Sequence, residues 1–210
     1  MNARVAQLLA VSLSTLAGFV DAQGYLALGG LFVAFMSGNS TVLGVAVVEG
    51  ANGRVALSAA LVAAFVVGVM IGTWVGRPFH DRRAPVVLLL MGALLAVAAG
   101  LYRLGFAVPC CVMVSVALGA ENTVFQRDGV PGIGLTYMTG TLVRLGQRIA
   151  EALTGGPWGP VLPDTLLWVG MAAGAGLGTW AYQELGLDGL WIAVAASVAM
   201  AATARLGLRA

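Results

Sequence analysis

Eight apolar stretches fill almost all of this 210-residue chain, and most are separated by short polar or Pro/Gly-rich segments. Crossing the hydrocarbon core of a bilayer takes roughly 20 apolar residues in a helix. Charged residues make up only 10% of the chain, whereas a soluble domain carries roughly 25%. The sequence therefore predicts an all-α polytopic membrane protein in contact with the lipid bilayer. The stretches lie at about 8–25, 28–48, 56–76, 86–102, 107–125, 132–150, 165–183 and 189–204.

The same composition argues against several classes of function. A net charge of +2 is too small to indicate a nucleic-acid partner. Cys110 and Cys111 are adjacent in an apolar run and His80 is the only histidine, so no metal site or disulfide is predicted. The sequence contains no Walker loop, H-E-x-x-H motif or nucleophile–histidine pattern. We therefore expect no enzyme activity and no cofactor.

The chain repeats itself at an offset of just over 100 residues. Four pairs of similar segments occur in the same order, which is hard to obtain by chance. They predict two related halves, 1–105 and 106–210, within one transmembrane domain. The pairs are MSGNSTVLG (36–44) with MTGTLVRLG (138–146), GVMIGTW (68–74) with GAGLGTW (174–180), RLG (103–105) with RLG (205–207), and, loosely, LAGFVD (16–21) with ALGAEN (117–122).

The distribution of arginine favours two halves of inverted topology, because basic residues in short loops lie mainly on the cytoplasmic side. If all eight stretches crossed the membrane, the most basic loop, 77–83, would lie outside. If the first two stretches of each half make one net crossing, eight arginines lie inside, Arg54 and Arg103 lie outside, and Arg127 is undecided. This predicts about six spanning helices, two broken or re-entrant segments (28–48 and 132–150), and both termini in the cytoplasm.

Two polar motifs at matching places in the halves are the main candidates for a substrate-binding site. A helix that begins at each motif would direct unpaired N–H groups into the protein, which suits a small polar or anionic ligand. Serine, threonine and asparagine are good N-cap residues, and glycine permits a sharp turn. Alternatively, the small residues only let helices pack closely. The motifs are Ser37, Gly38 and Asn39, and Thr139, Gly140 and Thr141.

Asp21 and Glu121 each follow a glycine late in the first stretch of a half, and Asn122 is adjacent to Glu121. A carboxylate inside a membrane helix is costly and indicates function by default. Such a group could hold a coupling cation or take up a proton, unless it lies harmlessly at the interface. Arg144 could pair with Glu121 or attract an anion. Arg148 and Glu151 are interpreted as anchors at the membrane surface.

Each half also carries a ladder of glycines with G-x-x-x-G spacing. Such ladders permit close packing of membrane helices, either within the chain or between protomers, so a homodimer is expected. The ladders are Gly68, Gly72 and Gly76, and Gly170, Gly174 and Gly178.

The stretch GFVDAQGYLALGGLFVAFMSGN (18–39), supported by TGTLV (139–143), resembles the YoaK family of small bacterial integral membrane proteins. The resemblance covers nearly the whole chain. It implies a bacterial inner (cytoplasmic) membrane protein of a permease-like family of unknown function, and it assigns no substrate or catalytic residue.

The residues themselves predict a secondary transporter or facilitator for a small polar or anionic solute, with its site between the two halves near mid-membrane. Two alternatives remain open. A channel for ions or solutes could use the same helix termini, and a membrane scaffold would transport nothing.

Overall fold

The computed structural model describes residues 3–126 and 138–206, and the regular elements within these ranges are helices. Arg127 and the first part of the predicted segment 132–150 lie outside the described residues. Two short 3-10 turns, His80–Arg82 and Gly186–Gly189, precede α4 and α8. The α-helices are α1 (Ala3–Ala27), α2 (Met36–Val48), α3 (Asn52–Gly76), α4 (Arg83–Arg103), α5 (Ala107–Glu121), α6 (Met138–Leu153), α7 (Val161–Leu185) and α8 (Leu190–Leu206).

Four stretches of the described residues are long and apolar enough to cross a membrane. The last of them, Val161–Leu206, turns at Gly186–Gly189 and so includes both α7 and α8. α2 and α5 are apolar but shorter, with 13 and 15 residues, or about 20 and 22 Å of helix. The prediction of an all-α polytopic membrane protein is confirmed.

The predicted segment 28–48 is helical only in its second part. α1 ends at Ala27, residues 28–35 form no helix, and α2 begins at Met36. Gly29 and Gly30 turn the chain with φ values of 62° and 100°, a region of backbone conformation that favours glycine. This irregular backbone needs hydrogen-bond partners within the protein, because the hydrocarbon core supplies none.

Glycines bring α7 into very close contact with α1. A Cβ atom on Gly174 would lie 2.0 Å from the carbonyl oxygen of Thr15, and one on Gly178 would lie 2.1 Å from that of Phe19. The residue numbers rise together along both helices, so α1 and α7 run in the same direction.

The same arrangement joins α3 to α5. A Cβ atom on Gly68 would lie 2.0 Å from the carbonyl oxygen of Val116, and one on Gly72 would lie 2.9 Å from that of Ala120. These two helices therefore also run in the same direction. In both pairs, the third helix of one half packs on the first helix of the other.

Two clusters of buried apolar residues fill the two ends of the bundle. We call the end where α1 begins the near end and the end where α1 finishes the far end. The near-end cluster joins the beginnings of α1 and α4 to the ends of α5 and α8, and the far-end cluster joins the other ends of the same helices. Thus α5 runs opposite to α1. Representative near-end residues are Leu9, Leu88, Val124 and Ala204, and representative far-end residues are Val20, Ala99, Cys110 and Leu190.

Candidate functional site

Asp21 holds the irregular backbone that precedes α2. Its buried Oδ1 accepts hydrogen bonds from the N–H groups of Val33, at 2.8 Å, and Ala34, at 2.7 Å. Hydrogen bonds to an ionised group are roughly twice as strong as neutral ones. They also satisfy backbone donors that would otherwise be unpaired inside the protein. The first predicted coupling carboxylate therefore has a direct structural role.

Asn39 holds the same backbone from the other side. Its Oδ1 accepts from the N–H of Phe32 at 2.9 Å, and its Nδ2 donates to the carbonyl oxygen of Phe32 at 2.6 Å. Asn39 is fully buried, and a Cβ atom on the adjacent Gly38 would lie 2.5 Å from the ring of Phe35. The first motif therefore fixes the path of residues 32–35 against α2.

The expectation that Ser37 or Asn39 caps the helix is wrong. The N-cap of α2 is Phe35, which makes no side-chain capping bond, and both motif residues lie in the first helical turn. The physical reason is that the helix begins one residue before Ser37, and the side chain of Asn39 bonds the backbone of Phe32 instead. Asp21, on α1, binds the N–H groups of Val33 and Ala34, which lie just before the helix.

The second motif, Thr139 to Thr141, lies in the first turn of α6, which is described from Met138 onward. Thr141 is fully buried, like Asn39 at the matching place, whereas Thr139 and Ser37 are exposed. Gly140 is exposed as well. The Thr141 hydroxyl accepts a hydrogen bond from Arg144 Nη2 at 3.0 Å.

Arg144 and Arg148 bind the buried carboxylate of Asp164 in the first turn of α7. The distance from Arg148 Nη1 to Asp164 Oδ2 is 2.7 Å, and that from Arg144 Nε to Asp164 Oδ1 is 3.5 Å. Arg148 also donates to the carbonyl oxygen of Pro160 at 2.7 Å. The suggested pairing of Arg144 with Glu121 is therefore wrong, and Arg148 is more than a surface anchor. These ion pairs join α6 to the start of α7.

Sequence reasoning missed Asp164. It follows the Pro/Gly-rich segment TGGPWGPVLP and is therefore interpreted as part of the loop between two helices. The available signal was its place before a long apolar stretch, because acidic residues are favourable in the first turn of a helix. Two arginines spaced i, i+4 on the preceding helix were the second signal.

Glu121, the last residue of α5, has a different environment from Asp21. It is fully buried, and neither carboxyl oxygen has a hydrogen-bond partner among the described residues. Ala117 and Leu118, one turn earlier on the same helix face, are buried in the far-end cluster, and Val124, in the turn after the helix, is buried in the near-end cluster. The amide of Asn122 donates back to the carbonyl oxygen of Leu118 at 2.9 Å. Of the two predicted carboxylates, only Asp21 has its hydrogen bonds satisfied.

The two motifs lie in separate helix pairs. α2 packs against α3 and α6 packs against α7, and there is no extensive packing between α2 and α6 in the described ranges. Other buried polar groups of the described bundle lie along the first helix of each half. Gln23 on α1 and Ser115 on α5 are fully buried, and each has an oxygen without a partner there. A substrate site shared by both motifs stays a prediction.

Helices of membrane-spanning length that enclose buried carboxyl groups and irregular backbone define a polytopic helical membrane protein. The family described as "Protein of unknown function (DUF1275)" matches residues 9–203, and the chain belongs to this family.

Two curated relatives are named as transmembrane proteins. The chain is 36% identical over 200 residues to the UPF0700 transmembrane protein RA0705 of Rhizobium meliloti (strain 1021), covering 93% of this chain and 84% of the relative. It is 34% identical over 144 residues to the UPF0700 transmembrane protein YoaK of Bacillus subtilis (strain 168), covering 65% of this chain and 64% of the relative. The predicted resemblance to the YoaK family is confirmed. No solved structure matches.

Proposed function

We propose that the protein is a secondary transporter or facilitator, without enzyme activity, for a small polar or anionic solute. The observation that carries the proposal is the irregular backbone at 28–35, held by the buried side chains of Asp21 and Asn39. Non-helical backbone at membrane depth occurs where it is buried in protein or lines a water-filled cavity. Transporters with inverted repeats commonly build their substrate sites from such broken segments.

We also propose that the two halves are inverted repeats in a bacterial inner membrane, with the near end in the cytoplasm. The opposite directions of α1 and α5 and the matching glycine contacts in the two halves support this. The positive-inside tendency supports it as well, because the α3–α4 connection and the end of α8 carry arginine at the near end. Arg54 and Arg103 lie at the far end.

Cysteine labelling tests this topology. Cys110 and Cys111 are buried and are first replaced with alanine. We expect a membrane-impermeant maleimide added to intact cells, with their outer membrane permeabilised, to label Arg54→Cys. It should label Arg82→Cys only after the inner membrane is opened. Labelling of both positions from the same side would contradict the inverted arrangement.

Flux through proteoliposomes tests the transport activity. The probes are chloride, acetate, phosphate and, as a neutral solute, glycerol. For any probe that the native protein moves, we expect Asn39→Ala to reduce the flux about tenfold or more, because it removes two hydrogen bonds that hold the broken segment. The matched control is Ser40→Ala. Its exposed hydroxyl bonds only the carbonyl oxygen of Met36 within the same helix, so this variant should keep native flux. Equal flux in the two variants would refute a role for the segment.

The kind of flux separates the alternatives. Saturable flux driven by an ion gradient supports a carrier, whereas conductance in planar bilayers far above carrier turnover supports a channel. Correctly inserted protein that moves none of the probes supports a scaffold.

A homodimer also stays a proposal, but the main glycine contacts do not supply its interface. Gly68 and Gly72 are buried against α5, and Gly174 and Gly178 are buried against α1.

A further inference from the structure

We infer that Glu121 is a proton-binding site and that, in the transporter proposed above, the coupling ion is a proton carried by this residue. The second part rests on the proposed function, whereas the first part does not. The two buried carboxyl groups, which look alike in the sequence, differ in the structure: Asp21 accepts two backbone hydrogen bonds and Glu121 accepts none from the described residues.

The helix face of Glu121 shows what surrounds it. Gly119 lies on the face of α5 that contacts α3, since a Cβ atom there would meet the carbonyl oxygen of Phe65. Glu121 is two residues further along, on the opposite side of the helix, and therefore points away from α3. It shares its face with Leu118, which packs in the far-end cluster, and Val124 in the turn after the helix packs in the near-end cluster. These described neighbours of Glu121 are apolar.

A fully buried carboxylate that accepts no hydrogen bond carries a large desolvation cost. A bound proton removes the charge and requires only one of the two oxygens. A metal ion would require several more oxygens, since Ca²⁺ takes 6–8 of them and Mg²⁺ requires octahedral coordination. Within the described ranges, no group of three His, Cys, Asp or Glu residues could hold a metal ion. The geometry at Glu121 therefore suits a proton.

No basic side chain of the described residues forms an ion pair with Glu121. Arg83 contacts the turns that follow Glu121, but its Nε donates to the carbonyl oxygen of Thr123 at 2.8 Å, and its Nη2 bonds the side chain of Gln126. Asp21 is bound to the backbone before α2. Charged groups with described side chains on the helices that pack against α5 are Asp21 on α1, Arg54 on α3, and Arg83 and Arg103 on α4.

Glu121 is also placed to exchange its proton. It is the last residue of α5, and residues 122–125 continue as turns toward the near end. Exposing its carboxyl group to water would require these turns to move but would break no hydrogen bond of the carboxyl group itself, whereas Asp21 would first have to release two backbone hydrogen bonds. The two buried carboxyl groups therefore have different roles: Asp21 stabilises the fold, and Glu121 binds the proton.

Infrared spectroscopy of the purified protein at neutral pH tests the site without a substrate. We expect the carbonyl-stretching band of a protonated carboxylic acid in the native protein, shifted by deuterium exchange, absent in Glu121→Gln and retained in Asp21→Asn. Glutamine has nearly the same shape and no charge, so this variant should fold, and size-exclusion chromatography checks this. Glu121→Asp, which keeps a carboxyl group, should retain a band. A native spectrum without the band, or a band unaffected by Glu121→Gln, would overturn the assignment.

The coupling is tested separately, in proteoliposomes with an imposed pH gradient. For a probe that the native protein accumulates, Glu121→Gln should abolish accumulation driven by the gradient and keep exchange without it. Retained accumulation would refute coupling through Glu121. If no probe is moved but the Glu121 band is present, the proposed transport fails while the proton site stands.

Discussion

Replacing Asp21 with alanine is expected to lower the free energy of unfolding by about 3–5 kcal/mol. The substitution removes two short hydrogen bonds to a charged acceptor and leaves the N–H groups of Val33 and Ala34 without their buried partner. Neither lipid nor the apolar interior can replace that acceptor. Unfolding by sodium dodecyl sulfate in mixed micelles, followed by tryptophan fluorescence, measures the change.

Two variants show whether this loss is specific to the carboxylate oxygen. Asp21→Asn keeps an acceptor oxygen and loses only the charge, so it should cost clearly less than alanine. Asp188→Ala breaks the 2.8 Å ion pair with Arg103, but both side chains are substantially exposed, so it should cost less than about 1 kcal/mol. If Asp21→Ala is no more harmful than Asp188→Ala, Asp21 does not hold the broken segment.

The sequence predicts the helices well because the requirement that determines them is local. A membrane helix satisfies all its backbone hydrogen bonds within itself, so a run of apolar residues is enough to specify it. The sequence also predicted that 28–48 is broken or re-entrant, but it did not locate the break: residues 28–35 are apolar apart from Gly29 and Gly30, and the polar Ser37 and Asn39 lie inside α2.

The partners of the polar residues could not be predicted in the same way. Asp21 bonds backbone groups 12 and 13 residues away, across a turn whose path depends on the packed bundle. Nothing in the local sequence distinguishes it from Glu121, which has no such partner among the described residues. The glycine ladders were likewise predictable as close contacts, but periodicity identifies a helix face and not the helix that covers it.

Placing alanine at Gly68 or Gly174 is expected to destabilise the protein by about 3 kcal/mol each, at the upper end of the usual cost of overpacking. In both places the new Cβ atom would lie 2.0 Å from a backbone carbonyl oxygen of the neighbouring helix, that of Val116 or Thr15. A side chain could rotate away, but a helix backbone must shift as a whole. The same unfolding measurement in mixed micelles, followed by tryptophan fluorescence, reports the change.

Gly176→Ala is the matched control, because Gly176 lies on the same helix as Gly174 and a Cβ atom there would meet nothing within 4 Å. It should leave stability unchanged or slightly raised, since alanine favours helix more than glycine does. The two contacts involve different helix pairs, so the Gly68→Ala/Gly174→Ala double variant should lose about the sum of the single effects. If Gly174→Ala behaves like Gly176→Ala, α1 and α7 are not held at backbone contact. If only one of the two ladder variants is destabilised, the equivalence of the two halves fails at that contact.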